Sequence, residues 1–258
     1  MSDIARYAKL PIVAIQFLTR IPIFPNMRIE SRDLGNCLAF FPFVGAIIAG
    51  ALGVASYLAL EVGLPFGVIA TLLLMIEAVI TGAFHWDGLA DTFDGFYSTH
   101  KSREEMLDIM HDSRIGVMGA TSIFMVALLQ YASITELLGY ELEYFLAAIF
   151  SSYMFGKWGC VYLSVFSSYG RKEGKGLVFL ESSRWPVLLV ASILLVPLFI
   201  LEPRYLLVFF GVMFFLVLWG AYSTRKVGGI TGDILGASAR LSETLSMVLF
   251  IILFHYIL

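Results

Sequence analysis

The chain has 258 residues, 59% hydrophobic and 14% charged, with a formal net charge of −3. A soluble domain carries about 25% charged residues, so this chain has more apolar side chain than a water-facing fold of its size can hide, and a hydrocarbon solvent resolves the excess. The slight acidity gives no electrostatic ground for a nucleic-acid partner, and Cys37 and Cys160, far apart in apolar runs, form neither a metal-ligand spacing nor a disulfide framework.

At the N-terminus, Met1 to Arg6 is polar and no cleavage-site pattern follows the first apolar stretch, so no signal peptide is expected. Ile4–Phe24 is interrupted by Lys9, Pro11, Arg20 and Pro22, which predicts an interfacial or re-entrant helix. A membrane-crossing helix needs about 20 apolar residues. Seven segments qualify: Cys37–Leu60, Pro65–Phe84, Gly116–Leu138, Tyr144–Ser168, Trp185–Leu201, Tyr205–Thr224 and Leu241–Leu258. The predicted fold is therefore all-α. It is a polytopic membrane helical bundle of about seven transmembrane helices plus the N-terminal helix, forming one integral-membrane catalytic domain over residues 1–258.

Lysine and arginine concentrate on the cytoplasmic side of membrane proteins. Fifteen of the 17 fall in the N-terminal segment and in the second–third, fourth–fifth and sixth–seventh loops. The alternation places the N-terminus and the long loops in the cytoplasm, as expected of an inner-membrane protein. Most polar chemistry then lies at one interface, as in a membrane-embedded enzyme, whereas a transporter keeps its key polar groups near the midplane.

The most informative stretch is His85-Trp86-Asp87-Gly88-Leu89-Ala90-Asp91-Thr92-Phe93-Asp94-Gly95, directly after the second apolar segment. If that helix continues at 100° per residue, Asp87, Asp91 and Asp94 share a stripe about 60° wide. Three carboxylates so close repel one another unless a cation neutralises them. Mg²⁺ does so, typically with one or two carboxylates and substrate phosphate oxygens. His85 is a candidate general base or a residue that orients one. Further on, Ser102 and Glu105 form a capping box that predicts a short helix, with Met106, Ile109 and Met110 on its apolar side. Asp112 is a candidate further metal ligand and Arg114 a phosphate clamp; Asp108 reads as an ordinary surface residue.

The loop Tyr169-Gly170-Arg171-Lys172-Glu173-Gly174-Lys175-Gly176 is basic, and Lys175 is its best phosphate-binding candidate. The stretch Arg225-Lys226-Val227-Gly228-Gly229-Ile230-Thr231-Gly232-Asp233 joins a basic pair, a glycine-rich turn and a helix start. Backbone N–H groups at such a start attract anions, which makes Arg225, Lys226, Gly229 and Thr231 candidate substrate contacts. Asp233, in the first helical turn, is a candidate proton acceptor. Three charges lie inside apolar runs, Glu77, Lys157 and Glu243, and intramembrane charge is functional by default. A Glu77–Lys157 pair would account for two of them. Clustered carboxylates beside basic loops point to substitution at phosphorus.

The blocks Phe17-Leu18-Thr19-Arg20-Ile21-Pro22, Phe41-Pro42-Phe43-Val44-Gly45, Thr81-Gly82-Ala83-Phe84-His85-Trp86-Asp87-Gly88-Leu89-Ala90-Asp91, Asp112-Ser113-Arg114-Ile115-Gly116 and Gly228-Gly229-Ile230-Thr231-Gly232-Asp233 resemble those of the cobalamin synthase (adenosylcobinamide-GDP ribazoletransferase) family. They span nearly the whole chain in the family's order. Trp86 is a departure, since the family often has an aliphatic residue there. The resemblance implies that adenosylcobinamide-GDP and α-ribazole, or its 5′-phosphate, yield adenosylcobalamin, or its 5′-phosphate, and GMP. Mg²⁺ is the implied cofactor. Membrane lipid is an expected partner, and a homo-oligomer is compatible with the sequence. Prenyl and CDP-alcohol transferases also use Mg²⁺-diphosphate. The second aspartate-rich motif of the former and the longer acidic pattern of the latter are missing. A divalent-cation transporter would need a polar path, for which only Glu77, Lys157 and Glu243 are available.

Overall fold

A computed structural model describes residues 8–24, 26–99, 101–170 and 185–257. Among these, the regular structure is helical: α1 (Leu10–Leu18), α2 (Ser31–Cys37), a 3-10 turn (Leu38–Phe40), α3 (Phe41–Glu61), α4 (Phe66–Thr81), α5 (Phe84–Phe96), α6 (Arg103–Ile109), α7 (Val117–Leu137), α8 (Leu142–Phe166), α9 (Trp185–Ile193), α10 (Val196–Leu201), α11 (Tyr205–Val227) and α12 (Gly232–Ile257). The chain is an all-α polytopic membrane protein.

Each of the seven apolar segments contains a helix, but their boundaries differ from the expectation and fewer than seven helices are long and apolar enough to count as single spans. By length and composition, Ser31–Glu61, α7, α11 and α12 can each cross a membrane, and α4 with α5 adds a fifth span only as a pair bent by 92°. The segment Trp185–Leu201 is split into α9 and α10, with Pro197 in the first turn of α10, where its missing N–H does no harm. Helix α1 has nine residues and rises about 14 Å, under half the hydrocarbon thickness, which fits the interfacial expectation.

Helices α8 and α12 pack against each other at the centre, with α3 against α8 and α5 against α12. Small residues allow this closeness, as in other membrane bundles. A Cβ added at Gly45 of α3 would stand 2.6 Å from the Tyr153 carbonyl oxygen, and one at Gly156 of α8 would stand 2.8 Å from that of Ala239. Cys37 and Cys160 are free and buried, as expected of small apolar side chains.

The largest correction concerns the acidic stretch. It does not continue the second apolar helix. Gly82 (φ 64°) ends α4 in a left-handed turn, and the Ala83 N–H closes back on the Ala78 carbonyl at 2.9 Å. Ala83 is itself left-handed (φ 57°), rare for a residue with a Cβ. The carboxylates therefore stand on a separate helix turned across the end of α4. Asp87 lies in the first turn of α5, where the helix dipole favours a negative charge.

Candidate active site

The acidic helix and the glycine-rich loop meet through backbone contact. A Cβ at Gly88 would lie 2.8 Å from the Asp233 carbonyl oxygen and 3.3 Å from Gly236 Cα. No side chain intervenes, so α5 is seated directly on the first turn of α12. Asp87 is exposed and Asp91 half-buried on α5, and Asp233 is half-buried at the start of α12. Thr231 forms the cap of α12: its hydroxyl accepts the Ile234 N–H at 3.3 Å and donates to Asp233 Oδ2 at 3.3 Å. This is the helix start that the Thr231-Gly232-Asp233 pattern predicts. It also shows that α12 begins nine residues before the expected Leu241, so Arg240 is a fully buried helix residue and not a loop charge.

The loop before α12 is held on two sides. Gly170 N–H donates to the Ile230 carbonyl at 2.8 Å and Ile230 N–H to that of Ser168 at 2.9 Å, a single parallel bridge between Tyr169 and Ile230. Gly229 packs so tightly on Ser168 and Tyr169 that no side chain fits there. Arg103, which the sequence did not single out, extends from α6 over left-handed Gly228 (φ 76°) and donates to the Gly170 carbonyl at 2.8 Å. The basic loop thus begins against the glycine-rich one; Lys175 itself lies outside the described residues.

Asp94 has a different setting from Asp87 and Asp91. Its Oδ2 accepts the Gly116 N–H at 2.7 Å and its Oδ1 the Gly119 N–H at 2.8 Å. Asp94 therefore caps the start of α7 from a neighbouring helix, satisfying donors that no carbonyl of α7 can reach. Asp94→Ala is expected to lower stability by about 2 kcal/mol, two charge-assisted hydrogen bonds being lost. Denaturant titration in micelles would measure this, with Asp94→Asn intermediate because it keeps one acceptor.

Asp112 and Arg114, expected as a metal ligand and a phosphate clamp, pair with each other. Arg114 donates to both carboxylate oxygens, with Nη2 2.5 Å from Oδ2, and its side chain is 86% exposed. The guanidinium bonds lower the Asp112 pKa from an ordinary 3.8 to about 2. The folded value lies below the unfolded one, so this pair's contribution is present above pH about 4 and lost as pH falls towards 2. In Arg114→Ala, the Asp112 carboxyl is expected to titrate higher, towards its ordinary value but still held down by the backbone N–H of residue 114, read by carboxyl-carbon NMR of labelled protein.

Lys226 is tied to the far end of α5: its ammonium donates to the Phe96 carbonyl at 2.8 Å and lies over the Tyr97 and Tyr222 rings. A cation there complements the helix C-terminus. Arg225 is exposed in the last turn of α11. His85 is 2% exposed, with its ring in the seam beside Gly236. From that position it can support the neighbouring groups but is closed off from solvent. Among the described residues, no three His, Cys, Asp or Glu side chains gather closely enough to hold a metal ion by themselves.

The intramembrane charges are paired, though not as expected. Glu77 bonds Arg240 rather than Lys157, and Lys157 bonds Glu243 at 2.5 Å. All four are fully buried. Their charges cancel within one cluster.

A family model described as cobalamin-5-phosphate synthase matches residues 11–251. A protein of Clostridium acetobutylicum named adenosylcobinamide-GDP ribazoletransferase is 37% identical over 90% of this chain and 92% of its own. One of Acetivibrio thermocellus with the same name is 35% identical over 95% and 98%. No solved structure matches. With the family's model covering nearly the whole chain and its acidic and glycine-rich blocks brought together at one helix crossing, the chain belongs to the cobalamin-5-phosphate synthase family.

Proposed function

We propose that the chain joins adenosylcobinamide-GDP to α-ribazole or its 5′-phosphate, releasing GMP, at the cytoplasmic face of the inner membrane. The observation that carries this reading is the backbone contact of Gly88 with Asp233 and Gly236, which joins the helix that bears Asp87 and Asp91 to the helix start that bears Asp233. The oxygen-only donor pair Asp87 and Asp91 suits Mg²⁺, which takes one or two carboxylates and completes its shell with substrate oxygens and water. Bound there, Mg²⁺ would supply a divalent charge to the diphosphate. Asp94 and Asp112, already engaged with the α7 cap and with Arg114, support the site from its edge.

A free ribose hydroxyl of the ribazole, not the 5′ one, which stays esterified when the 5′-phosphate is the acceptor, attacks the corrinoid-side phosphorus, forming a new P–O bond as the bond to GMP breaks. Asp233, held by Thr231 at the start of α12, takes the hydroxyl proton. The exposed guanidinium groups of Arg114 and Arg225 offset charge on the phosphates, with Lys175 from the basic loop. Gly229 keeps the loop backbone close to the anion. His85, buried behind Gly236, positions the α5–α12 seam, and Lys226 fixes the end of α5. The basic loops favour a cytoplasmic orientation even with Arg240 removed from their number. The test is purified protein in lipid with adenosylcobinamide-GDP and α-ribazole, with and without Mg²⁺. Mg²⁺-dependent formation of GMP and the corrinoid product together is the expected result. Stable protein that forms neither would overturn the assignment.

A further inference from the structure

Asp233, Gly236, Arg240 and Glu243 lie on one stripe of α12. The first two meet the acidic helix; the second two, about 10 Å deeper, meet the buried charges. Arg240 bonds Glu77 of α4, stands 3.1 Å from Glu243, and its Cζ lies 4.4 Å from the centre of the Trp86 ring of α5. Trp86 Nε1 donates to the second oxygen of Glu77 at 3.0 Å, Thr81 Oγ1 donates to the first at 3.3 Å, and Gln130 of α7 accepts from Arg240 at 3.4 Å. Glu77 and Trp86 stand on opposite sides of the Gly82–Ala83 break. One guanidinium therefore holds both arms of the bend, one by an ion pair and the other by its face. Trp86 is the residue immediately before Asp87.

We infer that Arg240 is a positioning residue for the acidic helix: by binding Glu77 and stacking on Trp86 it sets the angle at which α5 leaves α4, and so the place of Asp87 and Asp91 against α12. This rests on the proposal that those carboxylates hold the metal-diphosphate. Removing Arg240 alone would strand a buried Glu77 charge and confuse fold with position. The E77Q/R240Q double variant removes opposite charges together and leaves the Lys157–Glu243 pair neutral.

The test reads the bend directly. Spin labels are placed by Val79→Cys on α4 and Tyr97→Cys at the end of α5, sites 75% and 49% exposed; the native cysteines are buried and escape labelling. One narrow distance is expected in the otherwise native protein. In E77Q/R240Q the distribution is expected to broaden, with the Mg²⁺ concentration for half-maximal turnover raised at least tenfold and the melting temperature nearly unchanged. A narrow distance with an Mg²⁺ response within twofold of native overturns the inference. If the double variant does not fold, W86L decides, because it removes the ring on which Arg240 stacks and leaves the Glu77–Arg240 ion pair in place. Broadening supports the inference and an unaltered distance overturns it. D91N separates the two ideas: a native Mg²⁺ response in D91N would sink the metal assignment, while the spin-label distances would still decide the bend.

Discussion

Asp91→Asn is expected to lower Mg²⁺-dependent GMP release by about 100-fold or more, equivalent to about 3 kcal/mol of lost transition-state stabilisation. The substitution keeps the side chain's size and one oxygen but removes the negative charge that a hard cation requires. Asp91 is half-buried on α5, one turn beyond Asp87 and on the helix that Gly88 presses onto α12. The loss should therefore appear in turnover and in Mg²⁺ affinity together. Asp108→Asn is the control. Asp108 is exposed on α6, and its variant should match the native protein. Rates are to be measured across a Mg²⁺ series on protein matched for folded fraction. If Asp91→Asn followed the native Mg²⁺ curve, the assignment of this carboxylate would be wrong.

Gly88→Ala is expected to be nearly as damaging through a single methyl group. That methyl would meet the Asp233 carbonyl oxygen at 2.8 Å and its Cα at 3.2 Å. Both are backbone atoms at the capped start of a long helix, so neither can swing aside as a flexible side chain would. The helices must part. Overpacking of this kind costs about 1–3 kcal/mol of stability, and a displacement of about 1 Å at a reacting centre can cost about 100-fold in rate. Turnover should fall far more than the melting temperature. Gly63→Ala is a useful contrast. Gly63 has open space around it but a left-handed φ of 73°, so its substitution strains only a distant turn. Native activity in Gly88→Ala would mean that the α5–α12 contact does not set the site.

Much of this was legible before any coordinates. The acidic helix, the Ser102–Glu105 capping box and the helix start at Thr231–Asp233 depend on residues near in sequence, and the structure contains all three. The bend between α4 and α5 was not legible. Its pivot includes Ala83 in a left-handed conformation, and alanine carries no local signal for that state; only Gly82 hinted at a break. Without the bend, the apolar run that holds Glu77 would continue straight into the helix of Asp87. The partner of Glu77 was hidden for another reason. Arg240 is 163 residues away, and beginning the last span at Leu241 left Arg240 in a loop. The Thr231 cap was the available clue that this helix starts earlier. Asp94 shows the same limit. Its position on the acidic stripe was correct, but that it serves the start of α7 follows only from where Gly116 and Gly119 are brought.

The link between Asp94 and α7 also bears on how the chain is assembled. Helix α7 takes the acceptor for its starting N–H from a residue 22 positions upstream. A segment emerging from synthesis as α7 alone would present the Gly116 and Gly119 donors unmatched at an apolar boundary, which is costly in lipid. The start of α7 is therefore matched in full only when the acidic helix is docked beside it, which couples the two helices as one unit of stability. The carboxylate that the later helix needs also precedes it in the chain, so it has been synthesised when that helix emerges.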